Sequence, residues 1–205
     1  MEANIRLRRA ELLNMLIGYY KYQTYLEIGV SDPTRNFDLI RASFKVGVDP
    51  VAQRKDIIAY TSDQYFASLS KRQKFDLIFI DGLHHSNQVY KDINNALDHL
   101  NEGGFIVCHD MLPANEEMQK VPRQTHSWTG DCWKAWAYLR MTRQDLEMFI
   151  IKADHGLGVI KSGQQILFPI KKEMSDMDFN FFVTHQHKLM NTFEVSELFD
   201  NVINE

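Results

Sequence analysis

Two short apolar runs, separated by a glycine turn, constrain the fold of this chain more than any other feature. The first run, residues 25–28, contains Glu27 and is followed by Gly29. The second run, residues 46–48, leads into Asp49. A strand, a glycine turn, a helix and a second strand with a terminal acid form half of a nucleotide-binding βαβ unit, in which the acid can bind ribose hydroxyls. This stretch predicts an α/β fold with a nucleotide-like ligand.

Further apolar runs alternate with helical patterns along the rest of the chain. We predict strands at residues 24–28, 45–48, 56–60, 75–82, 105–108, 146–151 and 156–161. Helices are predicted at residues 5–20, 33–44, 61–69, 86–100, 131–139, 175–190 and 196–202. Such alternation is typical of a doubly wound, Rossmann-like sheet with helices on both faces. We expect seven largely parallel strands, the last of them antiparallel.

Length and composition predict a single cytoplasmic domain. The 205 residues suffice for one hydrophobic core, with an N-terminal helix in 1–22, a cofactor-binding core in 24–161 and a C-terminal extension in 164–205. A net charge of −4 argues against nucleic acid as a partner. No apolar run approaches the roughly 18 residues of a membrane span, and two cysteines suit a reducing compartment. We expect a small-molecule substrate, with a homodimer as the candidate assembly.

Polar residues and glycine stand where the predicted strands end. In doubly wound sheets the ligand binds outside the carboxyl ends of the strands. The residues at these ends are Glu27, Gly29, Asp49, Asp81, His109 and Asp110. The turn after Gly29 has Ser31 and Thr34 where a dinucleotide-binding turn has further glycines. A ligand without phosphates, such as S-adenosylmethionine, does not need those glycines.

The same motifs resemble those of class I S-adenosylmethionine-dependent methyltransferases. They are Glu27-x-Gly29, Asp49, Ser62-Asp63, residues 75–82 and residues 100–105, in that order. The resemblance covers about residues 24–161 and is nearest to the bacterial macrocin and sugar O-methyltransferase branch. It implies that S-adenosylmethionine binds to Glu27, Gly29, Asp49, Ser62, Asp63 and Asp81. Gly29 would lie under its methionine part, Asp49 would bind the ribose and Asp63 would lie by the adenine.

Asp81, His109 and Asp110 are predicted to converge, because they end two neighbouring strands. Two carboxylates and an imidazole suit Mg²⁺ or Mn²⁺. The relatives of this branch include the metal-dependent catechol O-methyltransferases. In those proteins, residues at the matching places hold an ion that binds substrate hydroxyls. The alternative is that Asp81 caps a turn and His109 forms a hydrogen bond with it.

His84 and His85 follow in the loop at the mouth of the sheet. Histidine has a pKa suited to a general base, and His84 falls near the place of a basic catalytic residue in the metal-dependent relatives. We predict that His84 is the base and that Asp81 assists it. The alternatives are two solvent-facing histidines, or one ligand and one bystander.

Other polar and aromatic residues lie in long connections. The segment 111–130 is long for a compact domain, and such loops are often functional. Trp128 and Trp133 could stack on an acceptor ring, although a tryptophan on a helix is more often part of the core. Asp154 and His155 are predicted in a surface loop, and the alternative is that they face the same cleft.

The leading hypothesis is an S-adenosylmethionine-dependent O-methyltransferase for a small hydroxylated acceptor such as a sugar, with metal assistance. A second hypothesis is an NAD-dependent oxidoreductase, since Asp49 suits a ribose contact there too. A third is a catalytically silent module that binds S-adenosylmethionine. Comparing the binding of NAD and S-adenosylmethionine separates the first two.

Overall fold

The computed structural model describes residues 7–52 and 54–197. These residues form an α/β fold in which helices cover both faces of one sheet. Within those residues the strands are β1 Thr24–Ile28, β2 Phe44–Val48, β3 Ile57–Ile58, β4 Phe75–Ile80, β5 Leu100–Cys108, β6 Leu146–Ile151, β7 Leu157–Ser162 and β8 Thr192–Phe193. The α-helices are α1 Arg9–Tyr20, α2 Ser62–Ser68, α3 Ser86–Asp98, α4 Glu116–Gln119, α5 Cys132–Thr142 and α6 Phe179–Met190.

The strand order is β3-β2-β1-β4-β5-β7-β6-β8. Only β7 runs antiparallel to its neighbours in this described sheet, and all other pairs are parallel. The order reverses at β1, so the carboxyl ends of β1 and β4 flank a crevice, as in other doubly wound sheets. The predicted Rossmann-like fold and its antiparallel seventh strand are confirmed. The sheet has eight strands rather than seven because residues 192–193 add to β6.

Each face of the sheet packs on its own set of helices. Residues from α2, α3, α5 and α6 cover one face, and residues from α1 cover the other. Side chains alternate between faces along a strand, so Leu77 and Phe79 pack on the α1 side while Ile78 and Ile80 pack on the opposite side. The alternation continues to Asp81, whose carboxylate meets Arg9 at the start of α1.

The helix predicted at 33–44 is wrong. Asp32 caps a turn there as predicted, and Pro33 is its first residue, but the turn is a short 3₁₀ helix, Pro33–Arg35, followed by a second, Phe37–Leu39. Asn36 separates them with φ −142° and ψ −61°. Its buried side chain donates to Glu27. A tertiary hydrogen bond thus outweighs the helical spacing of the apolar residues.

Other element boundaries differ by smaller amounts. Strand β3 is only two residues long, and β5 begins at Leu100, where a helix end was predicted at 101–104. The Asn101 side chain donates to Asp76 at 2.6 Å and draws this segment to β4. The helix predicted at 175–190 is a 3₁₀ turn, Met174–Asp176, and α6. Two predictions fall partly outside the described residues. They are the start of the N-terminal segment and of its helix, at residues 1 and 5, and most of the helix at 196–202.

Across residues 7–52 and 54–197, no helix combines the length and apolar character that a membrane span requires.

Candidate active site

A cavity of about 860 Å³ opens at the carboxyl ends of the strands. All nine predicted site residues line it: Glu27, Gly29, Asp49, Ser62, Asp63, Asp81, His84, His109 and Asp110. Their individual roles stay predictions. Residues of the 111–130 segment close one side of the cavity, among them Met118, Arg123 and Trp128.

The Gly29 turn is shaped by contact between β1 and β4. Gly29 has φ +87°, and a Cβ atom at this position would lie 2.1 Å from the backbone oxygen of Asp81. Its N–H donates to the Val48 oxygen at 2.8 Å. A side chain would therefore force the two strand ends apart, so the glycine is required by the fold of the turn itself.

Asp49 holds the next turn and faces the cavity. Its Oδ2 accepts from the Ser31 N–H at 2.8 Å, and its Oδ1 accepts from the Val51 N–H at 2.8 Å. Each carboxylate oxygen can accept a further hydrogen bond. The carboxylate is thus fixed in position and still able to bind a diol.

A polar cluster lies between α2 and α3, at the end of the cavity predicted for adenine. The Gln88 side chain donates to Ser62 at 3.2 Å, to Asp63 at 3.0 Å and to Asp92 at 2.9 Å. Burial raises the pKa of Asp92 to about 6. Sequence patterns did not single out Gln88 or Asp92, because both lie within an amphipathic helix.

Glu27 is buried beneath the cavity floor. Its Oε2 accepts from the Tyr25 hydroxyl at 2.6 Å and from the Asn36 amide at 2.9 Å. Burial raises the pKa of Glu27 to about 7, although both hydrogen bonds act in the opposite direction. Glu27 is therefore a carboxylate that a cationic ligand would bring fully into its charged form.

Three aspartates and two histidines converge on the α1 side of the cavity. Asp81 Oδ1 lies 3.2 Å from His84 Nε2 and 3.4 Å from His109 Nδ1. Asp110 Oδ2 lies 3.4 Å from His84 Nδ1 and 3.2 Å from His109 Nδ1. His109 Nε2 lies 3.4 Å from Asp154 Oδ1. The predicted meeting of the β4 and β5 ends is therefore present in the structure.

Arg9 supplies a permanent positive charge to this cluster. Its Nη1 donates to Asp81 Oδ2 at 2.5 Å, and its Nε donates to Asp154 Oδ2 at 3.1 Å. Sequence reasoning missed Arg9, and it predicted a surface loop for Asp154 and His155. His155 is exposed and lines the cavity, whereas Asp154 is 20% exposed and paired with both Arg9 and His109.

The electrostatics of the cluster follow from this mutual pairing. Burial alone would raise the pKa of Asp81, but His109, His84 and Arg9 hold it well below its usual range. Burial alone would lower the pKa of His109, but Asp81, Asp110 and Asp154 raise it well above the ordinary value. The pKa of His84 is raised by Asp81 and Asp110 against the effect of its burial.

The end of the long connection, with the adjoining Asp131, holds His84 in place. The Trp128 ring stacks on the His84 ring, and a Cβ atom on Gly130 would lie 1.9 Å from the His84 backbone oxygen. Asp131 accepts from the Ser86 N–H at 2.7 Å and its hydroxyl at 2.9 Å. One face of the Trp128 ring is therefore covered by His84, while the residue also lines the cavity. Trp133 is fully buried in the core.

The donor set fits a divalent cation. Asp81, His84 and Asp110 each offer a ligand atom within 4.8 Å of the others. His109 Nδ1, His109 Nε2 and His84 Nδ1 are buried and have no hydrogen-bond partner among the described residues. The separations of 3.2–3.4 Å between His109 Nδ1 and the two carboxylates match the roughly 3 Å between neighbouring ligands of an octahedral Mg²⁺ or Mn²⁺.

Left-handed backbone is concentrated at this site. Among the described residues, six non-glycine residues have positive φ: Lys21, Ser31, Asp110, Asp154, His155 and Asn191. Lys21 and Asn191 end helices, where this conformation is common. The other four line the cavity or contact its charged cluster. Such conformations persist where the surrounding structure imposes them, often at functional sites.

Residues 26–111 match the family described as a methyltransferase domain. No curated protein matches the sequence. Among solved structures, a protein from Klebsiella pneumoniae with a suggested O-methyltransferase activity has 15% identity and a TM-score of 0.58, over 80% of this chain and 83% of that one. The SAH-bound methyltransferase of Podospora anserina has 15% identity and a TM-score of 0.57, over 76% and 78% of the chains. An O-methyltransferase from Bacillus cereus in complex with SAH has 14% identity and a TM-score of 0.53, over 80% and 84%.

Residues 26–111 thus match a methyltransferase domain, and the chain shares its fold with these solved structures. Both findings agree with the resemblance to class I S-adenosylmethionine-dependent methyltransferases found in the sequence motifs.

Proposed function

We propose that the protein transfers the methyl group of S-adenosylmethionine to a hydroxyl oxygen of a small acceptor, such as a sugar. The observation that carries this proposal is the position of His84. Its Nε2 lies 3.2 Å from Asp81 Oδ1, and its Nδ1 lies 3.4 Å from Asp110 Oδ2. A cavity-lining histidine oriented by two carboxylates is suited to act as a general base, because the carboxylates stabilise the imidazolium that forms.

The cofactor would lie along the β1, β2 and α2 side of the cavity. Asp49 would accept hydrogen bonds from the ribose hydroxyls, and Ser62 and Asp63 would lie by the adenine. Glu27 would face the cationic methionine end, because a buried carboxylate gains most from a nearby positive charge.

The reaction is an in-line displacement. The acceptor oxygen forms a bond to the methyl carbon, and the bond from that carbon to the sulfonium sulfur breaks, with its electron pair going to sulfur. The acceptor proton goes to the His84 imidazole, and Asp81 and Asp110 stabilise the imidazolium that results. Most of the rate acceleration would come from holding the oxygen and the methyl group in line.

Asp81, His109 and Asp110 would hold Mg²⁺ or Mn²⁺ next to this base. When bound, such an ion lowers the pKa of a hydroxyl group and orients it. His109 is the better ligand and His84 the better base, because the His109 side chain is 4% exposed and the His84 side chain is 19% exposed towards the cavity.

Calorimetry with SAH tests the cofactor site. Wild-type protein is expected to bind SAH and not NAD, and Asp49→Asn is expected to weaken SAH binding by about tenfold to a hundredfold, since a charged hydrogen bond contributes about 1.5–3 kcal/mol. Asp56→Asn, in an exposed pair with Arg54, is the matched control and should bind like wild type. NAD binding without SAH binding would favour an oxidoreductase instead.

Methyl transfer tests the catalytic role. Acceptors are screened by the release of SAH, and His84→Ala is then expected to lower kcat by about a hundredfold or more, as loss of a general base does. SAH binding without any transfer across hydroxylated acceptors would favour a silent binding module.

A further inference from the structure

Asp154 faces His109 from the side opposite to the predicted ion. Asp81 Oδ1 and Asp110 Oδ2 lie 3.4 and 3.2 Å from His109 Nδ1, whereas Asp154 Oδ1 lies 3.4 Å from His109 Nε2. Both ring nitrogens are buried and lack a hydrogen-bond partner among the described residues. The two sides of the imidazole therefore meet different carboxylates.

Asp154 is held in this position by the start of α1. Its Oδ2 accepts from the Arg9 backbone N–H at 3.1 Å and from the Arg9 Nε at 3.1 Å. The same guanidinium donates to Asp81 Oδ2. Arg9 thus takes one oxygen of each carboxylate, and the other oxygen of each faces His109.

Asp154 stabilises the form of neutral His109 that can bind a cation. With a cation at Asp81 and Asp110, the lone pair of Nδ1 serves as a ligand, so the proton of the neutral ring lies on Nε2. An ionised carboxylate only accepts hydrogen bonds, so Asp154 stabilises that proton. Histidines that bind metals commonly donate their other N–H to a carboxylate in this way.

We propose that Asp154, held by Arg9, is a positioning residue that directs the Nδ1 lone pair of His109 to a divalent cation at Asp81 and Asp110. This inference rests on the metal-assisted part of the proposed function. Asp154 does not touch the ion or the acceptor in this arrangement and acts only through His109.

The substitution Asp154→Asn would reverse the positions of the proton and the lone pair on His109. An asparagine side chain has one acceptor oxygen and one donor nitrogen. Arg9 presents two donors to one side of residue 154, so the amide oxygen would turn to Arg9 and the amide nitrogen to His109. Nε2 would then accept, and the proton would move to Nδ1, where it blocks the ligand position. Asparagine also tolerates the left-handed backbone of residue 154, where φ is 45°.

The experiment is Mn²⁺ calorimetry on SAH-loaded protein. Asp154→Asn is expected to bind Mn²⁺ at least about tenfold more weakly than wild type, while Asp145→Asn, in an exposed pair with Arg143, should bind like wild type. Asp154→Gly also suits the backbone and should show a similar loss. Equal Mn²⁺ affinity in wild type and both Asp154 variants would overturn the proposal.

A double-mutant comparison tests whether Asp154 acts through His109. His109→Gln should weaken Mn²⁺ binding, and adding Asp154→Asn should cause no further loss. A full additional loss would mean that Asp154 acts on the ion directly, against the proposal. Nitrogen NMR of SAH-loaded wild type saturated with Mg²⁺ should report a proton on Nε2 of His109 and none on Nδ1. A proton on Nδ1 in that state would also contradict the proposal.

Wild-type protein that binds SAH but takes up no Mn²⁺ would overturn this inference and leave the proposed methyl transfer standing. Failure to bind SAH would instead contradict the proposed function.

Discussion

The rings of Trp128 and His84 stack with their centroids 5.2 Å apart and their planes 24° from parallel. The Trp128 Nε1 also donates to the Lys120 backbone oxygen at 2.7 Å. The long connection is therefore tied both to itself and to the candidate base through one side chain. The orientation of His84 depends on the conformation of this connection.

Replacing Trp128 by alanine should disturb both the long connection and the orientation of His84. We expect Trp128→Ala to lower the free energy of unfolding by about 1–3 kcal/mol through the lost stack and hydrogen bond. We also expect it to lower the rate of methyl transfer by about tenfold or more, because a misplaced base loses much of its effect. Urea unfolding and transfer assays measure the two effects. Trp128→Phe keeps a ring over His84 and serves as the control, and equal rates for all three proteins would refute the positioning role.

Gly29→Ala should prevent stable folding. The new methyl group would lie 2.1 Å from the Asp81 oxygen, on a backbone with φ +87°, and overpacking against backbone costs about 1–3 kcal/mol or more in addition to the unfavourable φ. Thermal unfolding monitored by circular dichroism gives the measurement. The matched control is Gly18→Ala in α1, where nothing lies within 4 Å of the added carbon. There the same substitution should raise stability by up to about 1 kcal/mol through helix propensity.

Glu27 should make stability fall as pH rises. Its pKa is raised from 4.5 to about 7 in the folded protein, so between these values the folded state keeps a proton that the unfolded state releases. Its stabilising contribution is complete below pH 4.5 and lost as pH rises through 7. The free energy of unfolding falls by about 3 kcal/mol over this range, because each unit of pKa difference corresponds to about 1.4 kcal/mol.

Glu27→Gln isolates this effect. Glutamine can still accept from Tyr25 and Asn36 but cannot ionise. Urea unfolding across this pH range should show the variant gaining on wild type as pH rises, by about 3 kcal/mol in all. A constant difference between the two proteins would show that Glu27 titrates normally.

Strands β1 and β6 could be predicted to the residue, because each is an apolar run bounded by polar or turn residues. The convergence of Asp81 with His109 and Asp110 could also be predicted, since the carboxyl ends of adjacent parallel strands meet at one edge. These features depend on local pattern and on a general rule of the fold.

The pairing of Arg9 with Asp81 and Asp154 could not be predicted. Arg9 is 72 positions from Asp81 and 145 from Asp154 in sequence, and its immediate neighbours suggest only a charged helix start. The helix predicted at 33–44 failed for a related reason, since the Asn36 side chain bonds to a strand residue instead of continuing a turn. In both cases one polar side chain and a distant partner determine the outcome.

The uneven distribution of left-handed residues affects attempts to engineer a more heat-resistant protein. Lys21 ends α1 with φ 59°. The substitution Lys21→Gly should raise the free energy of unfolding by about 0.5–1 kcal/mol without changing the cavity. Glycine at Asp110 or Asp154 would relax the backbone equally well, but it would remove a carboxylate that the histidines face. Selection for thermal stability alone would therefore favour variants with an impaired site unless binding is measured in parallel.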